Sequence, residues 1–312
     1  MIKECSKALV LLNMGGARNK NELEMFLTNM FNDKNILTIK SDFFRSLIAK
    51  FIVKSRKDSA WKNYEAIGGR SPINPLTEKL LSKLNDELTD TCVVQVMRYT
   101  PPFAQEAIKE LEKKKVKEVI LFPMYPQYST TTTKSSVEDF LFFAKRKFHI
   151  KVIEPFYKNR VFNEAIIDTI KNSVEKHEEY NLIFSAHGLP QKIVDSGDPY
   201  EKQINEHVEI LSALLEEENI HFKSISLAYQ SKVGPLKWLE PALDEELKKF
   251  RDQKVLIYPI AFLIDNSETD FELSIEYNEE AKKIGIEEYK VCKCLNDGEN
   301  FIKAIKDIIN VV

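Results

Sequence analysis

Residues 181–190 read NLIFSAHGLP, an apolar run that stops at a histidine and a glycine. The run is too short for an ordinary helix and lacks the alternation of a half-buried strand. A second run of the same kind, VILFPMY, occupies 119–125. Strands covered by helices on both faces read as such near-continuous apolar stretches. Outward from these two, strand-like runs at 8–13, 91–97, 118–123, 151–154, 181–185, 224–228 and 254–259 alternate with helix-like stretches. The latter lie at 102–115, 135–148, 162–177, 199–219 and 235–250. That alternation predicts an α/β fold of parallel sheets flanked by helices. The pattern runs twice, with a break near 156–162, so units at 1–157 and 158–312 are expected. Residues 298–312 form a terminal helix free to pack back on the first unit.

The 312 residues are 43% hydrophobic and 30% charged, the balance of a globular protein with a sizeable core. Lys and Arg total 45 against 48 Asp and Glu, a net charge of -3. A nucleic-acid partner, which would call for a basic excess, is not expected. No apolar run approaches the roughly 18 residues of a membrane span. The opening MIKECSKALVLLNMGG reads as a first core strand and not as a signal peptide. Four cysteines (Cys5, Cys92, Cys292, Cys294) do not make a disulfide framework in a chain this long. Reduced thiols and a cytoplasmic location are expected.

Ligands in open α/β sheets bind beyond the carboxyl ends of the strands, and the unusual residues fall there. His187 stands where a buried strand becomes a glycine-containing loop, held by a rigid base yet open on one side. Taken alone, with no second ligand near in sequence, it is better read as a surface histidine after a tight turn. After the strand ending at Pro259, the residues Glu268, Glu272 and Glu276 are spaced i, i+4, i+8, which aligns three carboxylates on one helix face. A solvated face explains most such stripes, whereas a buried one is a path for cations or protons. Arg98 and Tyr99 follow another strand, and Met124-Tyr125-Pro126-Gln127-Tyr128 a third. Arginine can grip a carboxylate bidentately, while tyrosine and methionine offer flat apolar contact to an aromatic ligand. A surface ion pair and core tyrosines are the plainer account. The Gly15-Gly16 and Gly68-Gly69 pairs fit neither GxGxxG nor GxxxxGK[ST], so phosphate binding is disfavoured. The stretch 42–53, DFFRSLIAKFIV, reads as an amphipathic helix that either packs on the core or presents a greasy lip to an apolar substrate or membrane surface.

Eight blocks, in order, resemble the ferrochelatase family: LLNMGG at 11–16, YEAIGGRSP at 64–72, MRYTPP at 97–102, LFPMYPQYSTTTT at 121–133, LIFSAHGLP at 182–190, SGDPYEKQ at 196–203, AYQSKVGPLKWLEP at 228–241 and CLNDGENFIKAI at 294–305. The resemblance covers nearly the whole chain. It implies the chelatase fold, two Rossmann-like lobes that are each a parallel four-stranded sheet flanked by helices, with a porphyrin gripped in the cleft. It also implies Fe²⁺ as a substrate inserted into protoporphyrin IX with release of two protons. By that pattern His187 and Glu268 match the catalytic and metal-handling pair, and Glu272 and Glu276 an acidic metal or proton path. Met14, Arg56, Tyr64, Ser71, Arg98 and Tyr99 match porphyrin-binding positions. The stretch 42–53 matches a pocket lip that touches the membrane in some members, which places the protein at the inner face of a membrane as a peripheral contact. Coproporphyrin, another tetrapyrrole, or a non-catalytic haem-binding role are the rival readings. Oligomeric state is left open.

Two departures from the family pattern stand beside Glu268. The family usually has a histidine two residues earlier, where this chain has Asn266, and an apolar residue where it has Asp270. Asparagine cannot titrate and is a poor iron ligand. A relay through this position would then depend on Asp265, Asp270 or water. Cys292-x-Cys294 supplies two thiols at most, so no [2Fe–2S] cluster and no permanently bound cofactor is expected. The expected mechanism has His187 on one face of the macrocycle, taking a pyrrole proton or holding iron, and Glu268 on the other as base or transient ligand.

Overall fold

In β1 (Lys7–Asn13), consecutive residues Leu9, Val10, Leu11 and Leu12 are all within 1% of complete burial. Neighbouring strand residues point to opposite faces, so both faces of this strand are covered. Each such side chain contributes roughly 1.5–3 kcal/mol by leaving water, which fixes β1 as a central strand. The computed structural model describes residues 5–232 and 234–311. The chain divides into two compact units. One takes the chain up to Tyr125, Ser129–Glu154 and the residues from Ile309 onward, and the other takes Pro126–Tyr128 and Pro155–Ile308.

In the first unit β1 is followed by α1 (Lys20–Asn32), α2 (Asp42–Ala66), α3 (Ile73–Glu87), β2 (Thr91–Met97), α4 (Ala104–Lys113), β3 (Glu118–Pro123), α5 (Ser135–Ala144) and β4 (His149–Val152). The strands form one parallel sheet in the order β2-β1-β3-β4. Ala8, Val10 and Leu12 of β1 and Val119 and Leu121 of β3 pack against Ile108 and Leu111 of α4 and Phe140 of α5. Leu23, Leu27 and Phe31 of α1 meet Ala49, Val53 and Tyr64 of α2 in a separate cluster. A short π-helical turn, Thr130–Lys134, leads into α5.

The second unit runs α6 (Arg160–Lys171), β5 (Tyr180–His187), α7 (Gln191–Asp195), α8 (Tyr200–Glu217), β6 (Ser224–Gln230), α9 (Leu243–Leu247), β7 (Lys254–Pro259), α10 (Tyr277–Ile284), β8 (Glu288–Val291) and α11 (Glu299–Asn310). Its parallel sheet has the order β6-β5-β7-β8. Ile183, Val255 and Ile257 pack against Leu243 and Leu247 of α9, Leu273, and Ala281 of α10. Phe301 of α11 lies against Phe162 of α6, and Asn159 donates to Asp307, so α11 is seated within this unit as far as Ile308.

Four sequence expectations change. β8, sequence EYKV, is an edge strand with charged and half-buried side chains, so it carries no apolar run to betray it. The stretch 235–250 is helical only in α9 and a 3₁₀ turn at Lys248–Phe250. Pro235 and Pro241 lack the N–H that a helix needs, and the segment instead bonds to the loop after β5: Gln191 N–H donates to Lys237 O (2.9 Å) and Leu239 N–H to Leu189 O (3.0 Å). The acidic stripe lies on a π-helical segment, Glu268–Glu276, in place of an α-helix. Cys5 and Cys92 are joined in a disulfide, Cα–Cα 5.8 Å, where reduced thiols were expected. The register pairs Ala8 with Cys92, which brings the residues just before β1 alongside β2.

Candidate active site

His187 is the last residue of β5, in register with Gln230 of β6. The ladder continues one step further, Gly188 N–H donating to Gln230 O at 2.8 Å. The Tyr200 hydroxyl donates to His187 O at 3.0 Å. The imidazole is thus carried on backbone fixed from two sides. Its Nδ1 lies 2.7 Å from Gly188 O. A carbonyl only accepts, so Nδ1 bears hydrogen and Nε2 is the nitrogen facing the site. The Phe262 ring stands edge-on to the imidazole, with centroids 6.5 Å apart.

His187 Nε2 is 3.4 Å from Glu268 Oε1, both side chains half-buried. Burial pulls the imidazole pKa down, but Glu268, then Glu272 and the Gly188 carbonyl together outweigh it and hold it at about 9. His187 is therefore held as an imidazolium near neutral pH. The two side chains thus meet directly, and a gap of 3.4 Å admits no aromatic ring between them, where one on each face of a macrocycle was expected.

Glu272 lies behind this pair. Ser231 Oγ donates to its Oε2 at 2.6 Å and Gln230 Nε2 at 3.3 Å. Gln230 is fully buried and oriented by Ser185, whose hydroxyl donates to its Oε1 at 2.8 Å. Ser231 adopts φ +68°, the left-handed region that non-glycine residues rarely occupy. Strain of this kind persists where surrounding structure imposes it, often at functional sites. Burial first, then the Glu268 charge, lift the Glu272 carboxyl to about 7. Glu276, one further turn along, is exposed. The three carboxylates thus grade from the histidine out to solvent, and turns of slightly more than four residues keep residues four apart nearly aligned.

The six expected porphyrin contacts all belong to the first unit. Met14 is half-buried on the loop after β1. Arg56 is half-buried on α2, and its guanidinium forms no ion pair among the described residues. Tyr64 is buried and stacked near Trp61, and Ser71 is buried under the glycine loop, where its N–H donates to Ala17 O. A Cβ on Gly16 would lie 2.6 Å from Ser71, which is why that loop is glycine. Arg98 and Tyr99 converge on buried Asp33: Arg98 Nη2 at 3.1 Å, the Tyr99 hydroxyl at 2.9 Å. Arg98 also bonds Ser135 and Asp139, so all three guanidinium nitrogens have partners within this unit. Tyr99 is fully buried.

Asp265 is buried and accepts from Cys294 N–H and Asn296 Nδ2, while Asp270 pairs with Lys293 at 3.3 Å. Both carboxylates are committed to the β8–α11 connection. Gln230, Ser231 and Asp33 were not singled out from sequence. The first two lie at the end of a strand within the AYQSKVGP block, a position that flags them. Asp33 sits 65 residues from Arg98, and nothing local announces it.

A profile of the ferrochelatase family matches residues 6–311. The ferrochelatase of a Nitratiruptor species is 53% identical over 309 residues, covering 97% of this chain and 98% of that one. That of Wolinella succinogenes is 51% identical over 313 residues with the same coverage. Among solved structures, SirB from Bacillus subtilis with Fe³⁺ superposes with a TM-score of 0.58 over 98% of this chain and 94% of its own, at 12% identity, a likeness of fold. The chain belongs to the ferrochelatase family, lyases that insert metal into a porphyrin.

Proposed function

We propose that the chain inserts Fe²⁺ into protoporphyrin IX, with His187 and Glu268 as the groups that receive the metal and the pyrrole protons. The observation that carries this is the 3.4 Å contact between an imidazole nitrogen and a carboxylate at the end of β5, backed by a second carboxylate raised to about 7. Imidazole and carboxylate both suit ferrous iron, and either can accept a proton.

The reaction exchanges two pyrrole N–H protons for one dication. In the resting site the Nε2 of His187 carries a proton that faces Glu268. Fe²⁺ arriving at the pair displaces that proton, because a protonated imidazole cannot ligate metal. Glu268 and then Glu272 take up protons from the ring, and exposed Glu276 returns them to water. Glu272 suits this role because a carrier poised near neutral pH both accepts and releases. Binding groups for the macrocycle are proposed in the first unit, with Arg56 as the cation for a propionate and Met14 as apolar contact. Arg98 and Tyr99 support that wall through Asp33.

No helix among the described residues is long and apolar enough to cross a membrane. On α2, however, Phe43 and Phe51 are 74% and 68% exposed, with Phe44, Leu47 and Ile48 also open to solvent. Lys50 and Lys54 flank them. An apolar stripe edged with cations supports peripheral attachment to an anionic bilayer and a cytoplasmic, membrane-adjacent location. The deciding experiment is anaerobic mixing with Fe²⁺ and protoporphyrin or coproporphyrin in parallel, followed by the porphyrin absorption bands. Turnover of protoporphyrin supports the proposal. Preference for coproporphyrin changes the substrate, and tight haem binding without turnover overturns it in favour of a carrier.

A further inference from the structure

The side chain of Asn266 is bound at both ends within its own loop. Its Oδ1 accepts the Glu268 N–H at 2.8 Å, and its Nδ2 donates to Ile264 O at 3.2 Å. The backbone is held as well. Asn266 N–H donates to Thr269 Oγ1 at 2.9 Å, while its carbonyl accepts from Thr269 Oγ1 and from Asp270 N–H, both at 3.0 Å. Thr269 is buried. The residue before, Asp265, is fastened to Asn296 in both directions: its N–H donates to Asn296 Oδ1 and its Oδ2 accepts from Asn296 Nδ2, each at 2.9 Å. The loop entering the acidic segment is therefore anchored, and Asn266 is its last joint before Glu268.

The first unit contains the same device. The π-helical turn Thr130–Lys134 also follows the third strand of its sheet in chain order, and Ser129 starts it by accepting the Thr131 N–H on its hydroxyl at 3.1 Å. Ser129 to Thr131 and Asn266 to Glu268 are the same i to i+2 bond from a short polar side chain. Such a bond satisfies an amide that the helix itself leaves without a partner.

We infer that Asn266 is a positioning residue: it caps the π-helical segment and sets Glu268 against His187, and it carries neither proton nor metal. A titratable side chain is then unnecessary at this place, since the amide already supplies the acceptor the turn requires. The inference rests on Glu268 being the reacting carboxylate.

The test compares Asn266→Ser, Asn266→Asp and Asn266→Ala, with Glu268→Gln as control, in steady-state insertion of Fe²⁺ into protoporphyrin. Asn266→Ala, which loses the acceptor, should lower kcat by about tenfold or more while KM for porphyrin and for iron stays within about twofold, because a misplaced group costs rate more than binding. Asn266→Ser and Asn266→Asp, which cap as well as asparagine, should stay within about threefold of the parent. Equal loss in the serine and alanine variants overturns the inference, as does parental turnover in Asn266→Ala. Should Asn266→Ala not fold, a serine or aspartate variant falling more than tenfold still overturns it. Parental turnover in Glu268→Gln would overturn the reading of Glu268 itself, a separable result.

Discussion

The Nε2 of His187 stands 3.4 Å from Oε1 of Glu268, and the other imidazole nitrogen is already spent on the Gly188 carbonyl at 2.7 Å. The only part of the histidine free to meet a substrate is therefore the atom that faces the carboxylate. On the proposed function, iron and protons compete for this one small space.

Removing the carboxylate should make the histidine a weaker base. Glu268 is the largest influence raising His187 to about 9, and burial opposes it. In Glu268→Gln, the His187 midpoint measured by NMR should fall by more than one unit. Stability changes with it. A histidine raised in the folded state adds stability that is complete below its unfolded value, near 6.5, and is lost as pH climbs through 9. Melting temperatures of the parent should decline across that window more than those of Glu268→Gln. Parallel declines would show that the pair is not coupled.

Glu272 acts with the same sign in a more acidic window. Its carboxyl is raised to about 7, so the folded protein prefers it protonated, and stability falls as pH rises from about 4.5 to 7. Glu272→Gln removes this penalty. The variant should be more stable than the parent at pH 8, on the order of 1–3 kcal/mol, while inserting iron more slowly. An unchanged melting temperature at pH 8 would count against a strained carboxylate here. Ser231→Ala should raise the carboxyl further, since that hydroxyl favours the charged form.

A second histidine tests the core. His207 is fully buried, with Nδ1 accepting from Gln127 Nε2 at 2.7 Å and Nε2 donating to Asn163 Oδ1 at 2.8 Å. Burial lowers it to about 3, so it is neutral in the folded protein. The unfolded chain binds a proton more readily, and stability contributed by this residue is present above pH 6.5 and drains away toward pH 3. His207→Gln should blunt acid unfolding between those values. His207→Leu strands two buried polar groups and should cost about 2–4 kcal/mol at pH 7 by chemical denaturation.

Vesicle flotation tests the α2 face. Phe43→Glu with Phe51→Glu removes the two most exposed phenylalanines of that helix, each worth roughly 1.5–3 kcal/mol if buried in lipid. Binding to anionic vesicles should drop at least tenfold, with turnover of detergent-dispersed porphyrin retained. Equal binding by parent and variant would remove the lip from consideration as an anchor.

Strand positions were legible because covered strands must be apolar throughout, and three of them, Thr91–Met97, Glu118–Pro123 and Lys254–Pro259, have the bounds their runs suggest. β8 was illegible for the same reason reversed: an edge strand is free to be charged. His187 and Glu268 could be picked out by their place at strand ends and by family pattern. Their contact could not, since it joins residues 81 apart through a register that no local signal sets. The role of Asn266 was hidden differently. As a residue type it looked like a lost imidazole, and only the bond to the Glu268 amide shows a cap.

Gly188 offers the sharpest test of how the site is held. A Cβ built there would lie 2.7 Å from the Gln230 carbonyl oxygen and 3.3 Å from the Trp238 ring. The first neighbour is backbone and accepts the Gly188 N–H, so it cannot step aside without breaking the last rung of the β5–β6 ladder. That rung adjoins the His187–Gln230 pair. Gly188→Ala should therefore displace both the imidazole and the glutamine that holds Glu272, cutting kcat more than tenfold and costing about 1–3 kcal/mol of stability. Gly197→Ala is the contrast. Gly197 has φ +98° with no atom within 4 Å of an added Cβ, so alanine there strains backbone without colliding with anything. It should cost about 1 kcal/mol and leave turnover near the parent value. If the two variants lose activity alike, general loosening of the fold explains both, and close packing at Gly188 is not what places His187.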